Sequence, residues 1–252
     1  MAVDLDLNGR NVFITGATSG LGQRFATAFA GQGANVVITG RRIERLGALA
    51  SELRATGVKV LPIAMDVTDR DGVEASVAHA EAELGPLWAL INNSGVTVQG
   101  PAESASEADY DFVMDTNVKG AFLCAQAVGR RLIERKAGRV VNIASLAALK
   151  VMGQLAIYCT SKAAVAQMTK ALALEWARSE VNVNAICPGY IETEMNSAFF
   201  HSEHGQKFMR SFPRRRIGRP EDLDELVLYL ASPCSRFITG SVIAADDGQG
   251  LA

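Results

Sequence analysis

The chain has 252 residues, of which 48% are hydrophobic and 23 are glycine, which suits one large α/β domain or two small ones. A formal net charge of -2 offers no basic face for nucleic acid, and no apolar run reaches membrane-spanning length. The start, M-A-V-D-L-D-L-N-G-R, lacks the basic end and apolar run of a secretion signal, and Cys124, Cys159, Cys187 and Cys234 form no C-x-x-C pair, so a cytoplasmic protein with reduced thiols is expected.

Residues 11–15 (N-V-F-I-T) form a short apolar run, followed at once by G-A-T-S-G-L-G and then by a helical pattern over 23–30. Strand, glycine-rich turn and helix are the setting of a dinucleotide site. Gly16, Gly20 and Gly22 let the backbone approach a pyrophosphate and present N–H groups at a helix N-terminus. The spacing is G-x-x-x-G-x-G, and a tight turn with no ligand gives the same local pattern. A second strand, 34–39, meets Gly40, where a cofactor with a free ribose 2′-OH usually meets an acidic residue. Arg41 and Arg42 follow. Arginines that open a helix oppose its dipole, and an anion such as the 2′-phosphate of NADP would reverse that cost. The other readings are that both reach solvent or that one pairs with Glu44.

A third strand, 58–64, runs toward Asp66 and Val67. Asp66 either accepts from an adenine amino group or caps a helix that begins near Asp69. The fourth strand, 87–92, ends in Asn92-Asn93-Ser94-Gly95, where side-chain amides either lock neighbouring strands or touch a ribose. A long helical segment covers 106–136. Within it Asn117 and Gly120 are costly helix residues, which predicts a kink or a function. The fifth strand, 139–144, delivers Ser145 at its carboxyl end.

Thirteen residues after Ser145 comes Tyr158, in I-Y-C-T-S-K, with Lys162 four residues further on and a run of helix formers behind it. That spacing is about one helical turn and puts both side chains on one face. A nearby ammonium lowers a phenol's pKa toward neutrality, which suits proton exchange with a substrate oxygen. A sixth strand, 181–187, leads into Pro188-Gly189 and a looser segment that reaches Arg216; 241–245 is a last short strand. There is no repeat and no interdomain linker. Strands alternating with helices predict a Rossmann-type doubly wound parallel sheet of about seven strands, with helices on both faces, in a single domain spanning 1–252. Ligands of such sheets bind outside the carboxyl ends of the strands, and that is where all of these motifs fall.

Over nearly its whole length the chain resembles the short-chain dehydrogenase/reductase family. T-G-A-T-S-G-L-G is similar to the family's cofactor turn, and Asn92-Asn93-Ser94-Gly95 to its N-N-A-G segment. Asn117, Ser145, Tyr158 and Lys162 match its catalytic tetrad in order and spacing. Pro188-Gly189 with Ile191 and Thr193 resembles its nicotinamide loop. The resemblance implies that Tyr158 exchanges the proton, that Lys162 lowers its pKa and binds the nicotinamide ribose, that Ser145 holds the carbonyl, and that Asn117 anchors a water. It implies cofactor contacts from Gly16, Thr18, Ser19, Gly20, Leu21, Gly22, Arg41, Arg42, Asp66, Val67, Asn93, Ser94, Gly95, Tyr158, Lys162, Pro188, Gly189, Ile191 and Thr193. NADP(H) is the favoured cofactor, with NAD(H) also accepted. The implied reaction interconverts a small-molecule ketone and a secondary alcohol, as a 3-oxoacyl thioester reductase or a general carbonyl reductase. The alternative is a dinucleotide-binding regulator that does no chemistry. Members of this length are usually homotetramers, built on the helices near 106–136 and 156–178 with the C-terminal strand at another interface.

The chain departs from the family in places. Ser94 replaces an Ala, Ser19 stands where many NADP-preferring members carry a basic residue, and Asp246-Asp247-Gly248-Gln249 differs from D-G-G. The spacing from Ser145 to Tyr158 argues against enoyl reduction. His201 and His204 have no further ligands near them, so no metal site is expected. Arg214, Arg215, Arg216 and Arg219 either stay solvated or meet the phosphate of a carrier-bound acyl group or a neighbouring subunit. The expected substrate loop, about 190–216, carries Met195, Phe199, Phe200, Phe208 and Phe212, which predict an apolar substrate body.

Overall fold

The computed structural model describes residues 4–194 and 196–251; Met195, named above among the apolar loop residues, lies outside them. In β1 (Asn11–Ile14) the period of two sorts side chains to opposite faces. Val12 and Ile14 join one apolar cluster with Phe25 and Phe29, while Phe13 joins a second with Val77 and Leu90. Both faces of the strand are therefore covered, and this is why the run reads as continuously apolar.

After β1 come α1 (Gly20–Gly31), β2 (Asn35–Gly40), α2 (Ile43–Arg54), β3 (Val60–Ala64), α3 (Arg70–Leu84) and β4 (Leu87–Asn92). Then follow α4 (Glu107–Met114), α5 (Ala121–Arg135), β5 (Gly138–Ile143), α6 (Ala156–Trp176) and β6 (Val181–Pro188), with α7 (Ser197–His201), α8 (Glu203–Met209), α9 (Asp224–Ala231) and β7 (Val242–Ala245) closing the chain. The seven strands form one parallel sheet in the order β3-β2-β1-β4-β5-β6-β7. On one face α1, α2 and α9 contribute Phe25, Leu46, Leu53 and Leu230; on the other α3, α5 and α6 contribute Val73, Leu132 and Leu172. Phe25, Phe29 and Leu132 are fully buried, and each such side chain contributes roughly 1.5–3 kcal/mol. The chain runs outward from β1 to β3, then returns to β4 on the other side of β1. That reversal opens a crevice at the carboxyl ends of β1 and β4.

Two local expectations change. The helical segment 106–136 is interrupted by a π-helical stretch, Asp115–Gly120, which contains Asn117. It accommodates Gly120, where a Cβ would lie 2.6 Å from Val67 Cγ2. The cap of α3 is Asp69, which accepts from the Asp71 amide at 3.2 Å. Asp66 instead closes its own turn, accepting from both the amide (2.9 Å) and the hydroxyl (2.8 Å) of Thr68.

Candidate active site

The crevice is built from the ends of strands. After β1, Gly16 adopts φ +68, and α1 starts so close that a Cβ on Gly22 would lie 2.3 Å from the Gly16 carbonyl oxygen. Only glycine allows this approach. Ser19 sits at the N-cap of α1 without a side-chain capping bond, and the first turn carries no acidic residue. First amides that their own N-cap does not take suit an anion. Thr15 Oγ1 accepts from the amides of Asn93 and Ser94, both at 3.0 Å, which pins the exit of β4 to the exit of β1. The Asn93 side-chain amide donates to the carbonyls of Thr15 (3.0 Å) and Gly16 (3.2 Å). Asn93 was expected to contact the cofactor; its amide nitrogen is spent on holding the glycine turn.

Arg42, although exposed, donates to Thr18 Oγ1 at 2.7 Å and Ser19 Oγ at 3.1 Å. It therefore reaches solvent and the glycine turn together, and Glu44 takes no part in these bonds. Arg41 is exposed, and its charge helps hold the Asp66 carboxyl below its ordinary range, after the larger effect of the Thr68 hydrogen bonds. Gly40 has a steric reason to be glycine, because a Cβ there would lie 2.7 Å from Thr18 Cγ2. Leu21 packs against the first apolar cluster and Val67 is buried in the second, so both shape the crevice from behind.

At the other side of the crevice, α6 presents Tyr158 and Lys162. Lys162 is buried, and its Nζ donates to the Ile143 carbonyl at 2.9 Å. Burial lowers the Lys162 ammonium to about 8, while the neighbouring Cys187 opposes the shift. Its Nζ lies 5.7 Å from the centroid of the Tyr158 ring. Burial raises the Tyr158 phenol above its ordinary value, and its hydrogen bond with Ser145 works in the opposite direction. The expectation that Lys162 draws the phenol toward neutrality is not met in this arrangement. Desolvation dominates, and the ammonium is directed at a backbone carbonyl.

Asn117 is almost fully buried and its side chain is committed. Its Oδ1 accepts from the Val96 amide at 2.7 Å, and its Nδ2 donates to the Val96 carbonyl at 2.9 Å and to Ser161 Oγ at 3.0 Å. Ser161 donates in turn to the Tyr158 carbonyl at 2.8 Å. The π-helical stretch is thereby bonded to the turn of α6 that carries Tyr158. Ser161 escaped the sequence reading, although it stands inside I-Y-C-T-S-K. Gly95 closes the gap: a Cβ there would lie 3.3 Å from Lys162 Nζ and 3.4 Å from Asn117 Oδ1.

The chain after β6 crosses the mouth of the crevice. Thr193 reaches the glycine turn, its Cγ2 lying 3.7 Å from where a Cβ on Gly20 would be. Ile191 is buried and bridges to Gly218. Beyond it Tyr190, Phe200, Phe208 and Phe212 pack together, with the Tyr190 and Phe212 rings stacked at 5.3 Å. The Tyr190 hydroxyl contacts Met152 Sδ at 3.7 Å across the mouth. His201 pairs with Glu192 at 2.9 Å, and among the described residues no cluster of three or more His, Cys, Asp and Glu could hold a metal ion. Among the same residues no helix is long and apolar enough to cross a membrane.

The glycine turn, the open helix end and the arginine bonded to that turn fit the pyrophosphate and ribose of a dinucleotide. A profile of the short chain dehydrogenase family matches residues 10–204. The gluconate 5-dehydrogenase of Gluconobacter oxydans (strain 621H) is 37% identical over 243 residues, covering 96% of this chain and 95% of its own. The (2S)-[(R)-hydroxy(phenyl)methyl]succinyl-CoA dehydrogenase subunit BbsD of Thauera aromatica is 38% identical over 248 residues, covering 98% and 99%. A crystal structure of a gluconate 5-dehydrogenase from Burkholderia cenocepacia J2315, in complex with NADP and tartrate, superimposes with a TM-score of 0.94 at 32% identity, over 99% of this chain and 98% of that one. With fold, motif order and full-length similarity in agreement, this chain belongs to the short-chain dehydrogenase family.

Proposed function

We propose that the chain is a carbonyl reductase, converting a ketone with an apolar body into a secondary alcohol and back, with NADP(H) favoured and NAD(H) also accepted. The observation that carries the reading is the meeting of Tyr158, Ser145 and Lys162 beside the glycine turn. Tyr158 hydrogen-bonds to Ser145, and Lys162 is anchored on the strand that leads to Ser145.

The bound nicotinamide supplies the hydride chemistry. The chain's own residues do the rest. Ser145 and Tyr158 hold the substrate oxygen, and Tyr158 Oη gives it a proton in reduction or takes one in oxidation. Burial keeps Tyr158 a phenol through neutral pH, which is the form that reduction needs. Lys162, already buried as a cation, would donate to a ribose hydroxyl oxygen and favours the phenolate that proton donation leaves. Asn117, through Ser161, fixes the turn of α6 on which both act. Gly16, Gly20 and Gly22 take the pyrophosphate, Arg41 takes a 2′-phosphate, and Pro188, Gly189, Ile191 and Thr193 cover the nicotinamide end.

An apolar carbonyl body suits the segment 190–216, because Phe208 remains partly exposed beside Tyr190, and Phe199 beside Phe208. Support for a carrier-bound acyl substrate weakens, since two of the arginines expected to meet its phosphate are already paired: Arg216 at 2.7 Å and Arg214 at 3.3 Å from Asp247. A homotetramer fits the exposed apolar residues Phe112 and Phe122 near the π-helical stretch, Leu174 on α6 and Phe237 before β7. The test is dinucleotide oxidation against a panel of aryl and alkyl ketones, a 3-oxoacyl thioester and 5-ketogluconate. Turnover that favours the ketones supports the reading, and turnover confined to the thioester or the sugar acid overturns it.

A further inference from the structure

Asp247 has backbone φ 54 and Arg215 φ 53, both in the left-handed region that non-glycine residues occupy only at a cost. Asp247 accepts from Arg216 Nε at 2.7 Å on Oδ2 and pairs with Arg214 Nε at 3.3 Å on Oδ1, so one carboxylate is gripped by the arginines on either side of Arg215. Arg216 holds the Asp247 carboxyl below its ordinary range, with Arg214 adding to the effect.

The same short C-terminal stretch holds the opposite end of the segment 190–216. Gln249 is buried, and its Oε1 accepts from the Tyr190 amide at 2.7 Å. It sits so close that a Cβ on Gly189 would lie 2.5 Å from that oxygen. Asp246 supports the stretch, accepting from the amides of Gly248 at 3.0 Å and Gly250 at 2.7 Å. Two side chains of one turn therefore grip both ends of the aromatic segment: Gln249 at Tyr190, and Asp247 at Arg214 and Arg216. Asp247 and Gln249 both belong to the stretch in which the sequence departs from D-G-G.

We infer that Asp247 is a positioning residue that latches the aromatic segment over the substrate, and that Gln249 holds the segment's other end. The inference rests on the reading that 190–216 covers the substrate. The two arginines are largely exposed, so their pairs are screened and the latch is a weak one that can open in each turnover. Its loss changes the fraction of closed segment rather than the fold.

The test uses the full chain. Asp247→Gly removes the carboxylate and relieves the left-handed backbone, so the variant is expected to fold; Asp247→Glu keeps the charge. In Asp247→Gly, trypsin should cut at Arg214–Arg216 faster, and KM for the ketone should rise roughly two- to tenfold with kcat unchanged or higher. Dinucleotide affinity should stay the same, and Asp247→Glu should restore part of the loss. In the native protein KM should climb with ionic strength, and in Asp247→Gly it should be flat. Unchanged trypsin cleavage overturns the latch. Faster cleavage with unchanged KM overturns the positioning role, while the cover reading stands or falls separately on the ketone panel. A fall in kcat together with a lower Tm overturns it in favour of a purely structural role.

Discussion

Lys162 Nζ donates to the carbonyl of Ile143 at 2.9 Å, so the helix that carries Tyr158 is tied directly to the last residue of the strand that leads to Ser145. The bond explains how a cation is tolerated at a buried position, but burial still dominates its energetics.

A pH-dependent stability difference follows from this. The folded-state value of Lys162, about 8, lies below its ordinary 10.5. Between those values the unfolded chain binds more protons, so stability rises with pH across that window. The penalty of the charged lysine is fully present below about pH 8, where it amounts to something on the order of 3 kcal/mol. Lys162→Met lacks this titration. The Tm of the variant minus that of the native protein should therefore fall as pH rises from 8 toward 10.5, and a difference independent of pH would show that Lys162 is not desolvated as described.

Tyr158→Phe removes one oxygen and keeps the ring. Turnover should drop by roughly 10²–10⁴, the usual span for a positioned acid or base, while dinucleotide affinity stays within about twofold. Because burial raises the phenol, reduction should hold steady through neutral pH and fall only as the phenol ionises, whereas oxidation should climb with pH. Rates in both directions across pH check this. A variant with more than a few per cent of native turnover would remove Tyr158 from the proton path.

The strands and the crevice were legible because their signals are local. Each apolar run ends in residues that a plain strand does not need: the glycines after β1, Arg41 and Arg42 after β2, Asn92 and Asn93 after β4, Ser145 after β5. What those side chains bond to was not legible, because the partners are distant in sequence. Arg42 reaches back 24 residues to Thr18, Asn93 reaches 78 to Thr15, and Asn117 reaches 44 to Ser161. The costly pair Asn117 and Gly120 announced a break in the helix, but a kink and a π-helical stretch leave the same trace in sequence. The sign of the Tyr158 shift was out of reach for a related reason. One-turn spacing gives the proximity of Lys162, whereas desolvation depends on everything else packed around the ring.

Assembly can be tested on the apolar residues left uncovered. Leu174 on α6 is 81% exposed and Phe122 on α5 is 40% exposed, an unusual state for large apolar side chains on helices whose other faces are core. Light scattering should give a mass near that of four 26.8 kDa chains. Leu174→Glu combined with Phe122→Lys should shift it to smaller species. A native monomer at working concentration would refute the tetramer.

Cofactor choice turns on Gly40 and Thr18. Gly40 has no side chain to accept from a ribose 2′-OH, and exposed Arg41 follows it, with a fork that can take a 2′-phosphate through two hydrogen bonds. A charge-assisted contact of that kind changes affinity by roughly one to two powers of ten. Ser19 adds no cation and Arg42 is bonded to Thr18 and Ser19, so kcat/KM should favour NADPH over NADH without excluding NADH. Gly40→Asp with Arg41→Ala would reverse the preference if the swap of acceptor for cation were the only requirement. Chemistry alone is not enough, because the new Cβ also needs space and would lie 2.7 Å from Thr18 Cγ2, and Thr18 is held in place by Arg42. That double variant should lose stability and gain little with NADH. Thr18→Ser keeps the hydroxyl that Arg42 grips and deletes the methyl; the next atoms of Thr18 lie at 3.8 Å, an ordinary contact. The triple variant Thr18→Ser, Gly40→Asp, Arg41→Ala should therefore recover stability and invert the ratio of kcat/KM between NADPH and NADH. Inversion by the double variant alone would mean that Thr18 is not the obstacle, and a native ratio below one would mean that Arg41 serves no phosphate.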